Sequence, residues 1–260
     1  VWPAAARDPL IWSIAALVFL VFGMTALRPF FAAAFPDLQR PIFEQDSFVA
    51  LTVAHLALVT LSSAASTVVG LGAGIFITRP WGREFRPVVE STVAIGQTIP
   101  PVAVLAVAVP LIGFGEAPAL IALALYGLLP IVQGTVAGLE TVPGSAREAA
   151  AGLGMSAGRI LCRIELPLAM PVIIAGIRTS TIINIGTAAV AATVGAKSLG
   201  TPIVTGLSGF NTSYIIQGAV LVGLLAIVID LCFDRLQRHL EGWGSRDLSA
   251  RQTAAHAATN

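Results

Sequence analysis

Apolar residues along the chain come in blocks, and six blocks are long enough to cross the roughly 30 Å hydrocarbon core of a bilayer as helices. They occupy 10–27, 48–77, 88–109, 117–137, 172–195 and 215–236. The first ends at Arg28-Pro29 and is too long, with the wrong flanks, for a cleaved signal peptide. The second is rich in Ser, Thr, Ala and Gly, small residues that let neighbouring helices approach closely. The third is interrupted by Gln97-Thr98-Ile99-Pro100-Pro101. Proline lacks a backbone donor and clashes with the preceding turn, so this helix is expected to bend or open near mid-membrane. The fourth contains Pro130. Between the runs lie a polar connection at 28–47, an arginine-rich turn at 79–87 (RPWGREFRP) and a polar-flanked island at 148–167. The end of the chain from 235 is polar and alanine-rich, and disorder is expected beyond Trp243.

Composition agrees with this pattern. Of 260 residues, 56 % are hydrophobic and only 11 % charged, against roughly 25 % charged in a soluble domain. The expected fold class is therefore all-α: a polytopic membrane protein with about six transmembrane helices. Its expected parts are an N-terminal flank (1–9), a transmembrane domain (10–243) with a loop at 138–170, and a polar tail (244–260). A net charge of +1 without a basic block gives no reason to expect nucleic acid. Cys162 and Cys232 form no ligand spacing and are expected to stay thiols, and three scattered histidines make no metal site. The single lysine is Lys197, so there is no phosphate-binding glycine loop with its lysine, and no ATP site of that kind. The chain opens on Val1, the start expected of a trimmed chain or an alternative codon.

Arginines set the expected orientation. With both termini in the cytoplasm, Arg7, Arg79, Arg83, Arg86, Arg147, Arg159, Arg163, Arg235, Arg238, Arg246 and Arg251 fall inside, and only Arg28, Arg40 and Lys197 outside. Arg178 sits just within the fifth run. This satisfies the positive-inside rule.

The island reads EAAAGLGMSAGRILCRIELP. Ser145 and Glu148 have capping-box spacing, so a short helix is expected to start there and to end at Gly152 and Gly154. Ser156 is placed to cap a second short helix that Pro167 terminates, with Arg159 and Arg163 on one side. Two short helices outside the bilayer offer a docking surface. The order Glu148-Ala149-Ala150, three residues, Gly154, nine residues, Ile164, one residue, Leu166-Pro167 resembles the EAA loop of ABC importer permeases. The resemblance implies an importer-permease bundle whose loop couples to a cytoplasmic ATPase. For Glu148, a capping role and a direct partner contact both remain open. A further likeness covers about the last two thirds of the chain. It rests on Gln97 to Pro101, YGLLP at 126–130, AGIRTSTIINIG at 175–186 and the stretch 195–200. These are similar to permeases of glycine betaine, carnitine and choline importers. Many relatives carry a glycine pair where this chain has Lys197-Ser198, which bears on the particular substrate.

What the resemblance implies is a non-catalytic subunit in a bacterial inner membrane, surrounded by lipid. It binds no cofactor of its own, with ATP and Mg used by the partner ATPase. Its other partners are a second permease copy or a sister permease, and an extracytoplasmic solute-binding protein. Two candidates for the translocation path follow from the residues. One is the broken third run with Gln97, Thr98, Pro100 and Pro101. The other is a small, polar stripe of Gly176, Ser180, Asn184, Thr187, Ala191 and Gly195, spaced three and four apart. That stripe fits pore lining and close helix packing equally well. His55, Glu90 and Asp230 read as packing or interface groups. Alternatives are an amino-acid-type ABC permease and an ion-coupled secondary transporter. The latter needs a midplane carboxylate, which is missing. A membrane enzyme would need paired catalytic groups at one depth, also missing. Tyrosines and tryptophans are few and lie mostly in flanks, and the twelve phenylalanines are spread along the chain. No aromatic cage for a quaternary ammonium is therefore expected, and binding should be weak.

Overall fold

The computed structural model describes the backbone of residues 8–257 and the side chains of residues 8–240. Arg7, Arg246 and Arg251, with Trp2 and Trp243, lie outside the residues whose side chains are described. All regular structure among the described residues is helical. Five helical stretches are long and apolar enough to cross a membrane, and a bent pair makes a sixth.

The first span, Pro9–Ala34, is α1 (Pro9–Gly23), a 3₁₀ turn (Met24–Leu27) and α2 (Arg28–Ala34). Arg28-Pro29 does not stop it as the sequence suggests. Pro29 sits in the first turn of α2, where its missing N–H costs nothing. Next come α3 (Phe48–Thr78), capped by the Ser47 hydroxyl, then α4 (Arg86–Thr98) and α5 (Pro101–Ile112). The last two meet at 94° across extended Ile99 and Pro100, where Pro100-Pro101 was expected to open the helix. The fourth run forms α6 (Glu116–Glu140), with Pro130 inside.

After α6 come α7 (Gly144–Gly152) and α8 (Ala157–Ile160). A five-residue π-turn (Leu161–Glu165) then leads straight into α9 (Leu166–Ala188). The expected second short helix is thus the start of a 32-residue span, Ala157–Ala188. Pro167 does not end it, because the π-turn adjusts the ladder just ahead of the proline. A 3₁₀ turn (Val190–Val194) follows, then α10 (Thr201–Ser208) and α11 (Thr212–Ala257). The tail expected to be disordered beyond Trp243 lies outside the residues whose side chains are described. α11 runs on to Ala257, through Ala, Leu, Arg and Gln, all good helix formers.

α3, α6 and α9 form the packed centre, with α4 and α5 on α6, and α1 on α11. Ion pairs define the two ends. One end gathers Asp8 with Arg235, Arg86 with Glu140, and Arg79 and Arg147 with Glu165. The other gathers Arg28 with Glu44 and Lys197 with Asp46, and Gly115 donates its N–H to Val194 at 2.8 Å. α4 therefore starts at the first end and α5 finishes at the second, so the bent pair counts as one broken span, the sixth candidate among the described residues.

Candidate functional site: the docking helix and the packed spans behind it

α7 projects from the first end. Its N-cap is Pro143 and no side chain caps it. The expected capping box is absent, since the helix starts at Gly144 and places Ser145 within its first turn. Glu148 and Ala149 are exposed while Ala150 faces inward, so of its two open roles, capping is not what Glu148 does. The helix closes in a Schellman motif. Met155 N–H donates to Ala150 O at 3.2 Å and Gly154 N–H to Ala151 O at 2.9 Å. Gly154 has φ +76°, a left-handed conformation that costs an L-residue about 1–2 kcal/mol. Beside it Leu153 is 84 % exposed, an apolar residue held out at the tip. Sequence reasoning passed over Leu153, although its place before Gly154 marks it as the residue a glycine turn would present.

Behind α7 lies Glu165, with its side chain 5 % exposed. One carboxylate oxygen accepts from Arg79 Nη1 at 2.7 Å, and the other lies 2.7 Å from Arg147 Nε in an ion pair without hydrogen-bond alignment. Ile164, Leu166 and Pro167 flank it on the π-turn and the start of α9. A cavity of about 420 Å³ opens here, lined by Arg79, Arg83, Arg86, Glu140, Arg147 and Glu165. Arg159 and Arg163 are exposed.

The stripe on α9 is divided. A Cβ on Gly176 would lie 2.5 Å from Pro130 O and 3.2 Å from Gly134 Cα, so two helix backbones touch there. Ser180 and Asn184 are fully buried. Asn184 Nδ2 donates to Ser62 Oγ at 3.4 Å and Ser63 Oγ at 3.2 Å on α3. For these three residues the geometry is that of helix packing. Thr187 lies elsewhere, with Pro101, Leu105 and Ala191, on a crevice of about 10 Å³, room for one water at most.

The broken span is the exposed candidate: Thr98, Ile99 and Pro100 are all open. Gln97 instead turns back, its Nε2 donating to Tyr126 O at 2.8 Å. Tyr126 is four residues before Pro130, so its carbonyl has lost its helical donor. Gln97 supplies one from the next helix. His55 is fully buried with both ring nitrogens engaged, Nε2 with Ile185 O at 3.1 Å and Nδ1 with Leu199 N–H at 3.3 Å. It is a packing residue, as expected. Arg178 on α9 pairs with Asp230 on α11 at 2.6 Å. The phenylalanines are not evenly spread. Phe43 stacks edge-on against Tyr214 at 5.4 Å beside Phe48, and Phe76 packs on Trp81 and Phe85. Phe43, Phe48 and Tyr214 are buried in one another, and this group presents no open cage.

Residues 70–243 match the family of binding-protein-dependent transport system inner membrane components, and the chain belongs to that family. It is a multi-pass, non-catalytic membrane subunit of an ABC importer. It is 44 % identical to the osmoprotectant import permease protein OsmY of Salmonella typhimurium over 68 % of this chain and 75 % of that one. It is 40 % identical to OsmW of the same organism over 75 % and 93 % of the two chains. To the glycine betaine/carnitine/choline permease OpuCB of Bacillus subtilis it is 40 % identical over 68 % and 80 %. Among solved structures, an inward facing MetNI methionine ABC transporter aligns with TM-score 0.66 at 24 % identity, over 74 % of this chain and 95 % of that one. A bacterial alginate ABC transporter aligns with TM-score 0.55 at 17 % identity, over 92 % and 98 %. These two confirm the fold.

Proposed function

We propose that this permease imports quaternary ammonium osmoprotectants of the glycine betaine, choline and carnitine kind. The observation that carries the substrate class is the identity of 38 % or more with three permeases named for choline or for glycine betaine, carnitine and choline, beside 40 % or more with two named for osmoprotectants. The end bearing α7 is cytoplasmic. Arg79, Arg83, Arg86, Arg147, Arg159, Arg163, Arg235 and Arg238 collect there, against Arg28, Arg40 and Lys197 at the other end, as the positive-inside rule requires. α7 docks on an ATPase subunit through Glu148, Ala149, Leu153 and Gly154, and ATP and Mg are handled by that partner. The apolar outer face of α4 and α5, with Ile95, Ile99, Val102, Val107 and Leu111 exposed, meets a second permease. The solute passes between the two permeases, along Thr98, Pro100 and Pro101.

The test is reconstitution in vesicles with the ATPase and the solute-binding protein. Uptake of glycine betaine driven by internal-face ATP is expected, with binding protein required at the opposite face. Uptake of methionine in preference to glycine betaine would overturn the substrate class. Uptake driven by an ion gradient without ATP would overturn the mechanism.

A further inference from the structure

Glu165 is the one carboxylate among the described residues that is buried, and it joins elements that must move together if α7 is to drive the spans. Arg147 belongs to α7, and its Nη2 also donates to Leu139 O at the end of α6 at 2.5 Å. Arg79 is the C-cap residue of α3, and its Nη2 reaches Thr78 Oγ1 at 3.4 Å. Glu165 itself closes the π-turn from which α9 starts. One carboxylate thus ties the docking helix to the ends of α3, α6 and α9. π-turns recur at functional sites because their extra residue makes the local register adjustable.

Apolar packing also holds this end together. Leu139, Val142, Ala169 and Ile173 form one apolar cluster at this end, and Ile77, Val132 and Val136 form another. Buried ion pairs add little net stability, because desolvation offsets their attraction. What a two-arginine grip on one carboxylate adds is direction, since each oxygen is committed to a different helix.

We propose that Glu165 is a positioning residue that transmits displacement of α7 to α3 and α9, which rests on the reading of α7 as the ATPase-docking helix. With Glu165→Gln, two arginines face a neutral amide and the grip is lost, while the exposed surface of α7 is untouched. With Arg147→Met, the α7 branch is cut together with its bond to Leu139 O on α6, and Arg79 keeps its partner.

The experiment uses the whole transporter, reconstituted with its ATPase and binding protein. Glu165→Gln, Arg147→Met and the double variant are each expected to retain the ATPase on purification and its basal hydrolysis. Uptake and the substrate-stimulated increment of hydrolysis are expected to fall about tenfold or more, the usual size of a coupling between sites. The double variant should be no worse than the worse single one, since both remove the same link. Glu165→Asp, which keeps the charge, should recover part of the uptake. Uptake equal to the wild type, additive losses in the double variant, or loss of ATPase binding or basal hydrolysis in the Glu165→Gln complex would each overturn the proposal. Failure of the wild-type chain to hold the ATPase would instead overturn the docking reading of α7.

Discussion

Leu153 and Gly154 are neighbours that make opposite demands on the chain. Gly154 must turn left-handed at φ +76° to close the Schellman motif, and that turn holds Leu153 out at 84 % exposure. Burial of a leucine in a partner groove contributes about 1.5–3 kcal/mol. Leu153→Asp is therefore expected to weaken ATPase association by about tenfold or more, at 1.4 kcal/mol per decade. Affinity chromatography of the detergent-solubilised complex measures this, and undiminished recovery of the ATPase would count against the docking role. Gly154→Pro removes both the turn and the N–H given to Ala151, and Glu148→Lys reverses the exposed charge. Both are expected to abolish transport and coupled hydrolysis while the chain stays in the membrane. Normal substrate-stimulated hydrolysis by the Glu148→Lys complex would contradict this.

Among the elements, the broken span and Pro130 of α6 are one arrangement. Gln97 on α4 gives Tyr126 O the hydrogen bond that Pro130 has taken away. An unpaired buried carbonyl costs about 1–3 kcal/mol, so Gln97→Ala should lower thermal stability in detergent. Adding Pro130→Ala, which restores the helical N–H, should recover much of the loss. A double variant that melts lower still would refute the pairing. How far such features can be read from sequence depends on whether their cause is local. Pro100-Pro101 breaks its own helix, so the bend was legible at the right residues, and so was the glycine end of α7. The capping box was not, because α7 starts at Gly144, one residue before Ser145, with Pro143 as its N-cap. Nor was the continuity through Pro167, since proline forbids an α-turn but not a π-turn. The stripe on α9 stayed ambiguous because small size suits a pore and a helix contact alike. At Gly176 and Gly134 the two backbones approach closely, so at that point small size serves a helix contact. Glu165 was visible as a residue of the island, but its partners lie 18 and 86 positions away along the chain, beyond any local pattern.

At the scale of the whole molecule the described residues place unequal charge at the two ends, and the expected orientation rests on that asymmetry. With Cys162 and Cys232 both free and exposed, a cysteine-free background is needed to test it. Ser145→Cys and Ser208→Cys, both at exposed positions, should then label from opposite faces of sealed vesicles, and labelling from one face would overturn the six-crossing topology. Recognition of the solute is expected to lie outside this chain. A quaternary ammonium is held tightly by aromatic faces, each contributing on the order of 0.5–2 kcal/mol. Here Phe43, Phe48 and Tyr214 are spent on one another in the core, and Phe76, Trp81 and Phe85 form a group at the α7 end. The exposed break at Thr98, Ile99 and Pro100 presents one hydroxyl and apolar carbon. Among the described residues Glu90 is held by Arg86, and Asp230 by Arg178. Such a path releases a cation readily and captures it poorly. Calorimetric titration of the purified permease with glycine betaine and choline is therefore expected to show dissociation constants above about 1 mM, an affinity near 4 kcal/mol. Affinity in the transporter then comes from the solute-binding protein, and micromolar binding to the permease alone would defeat this account.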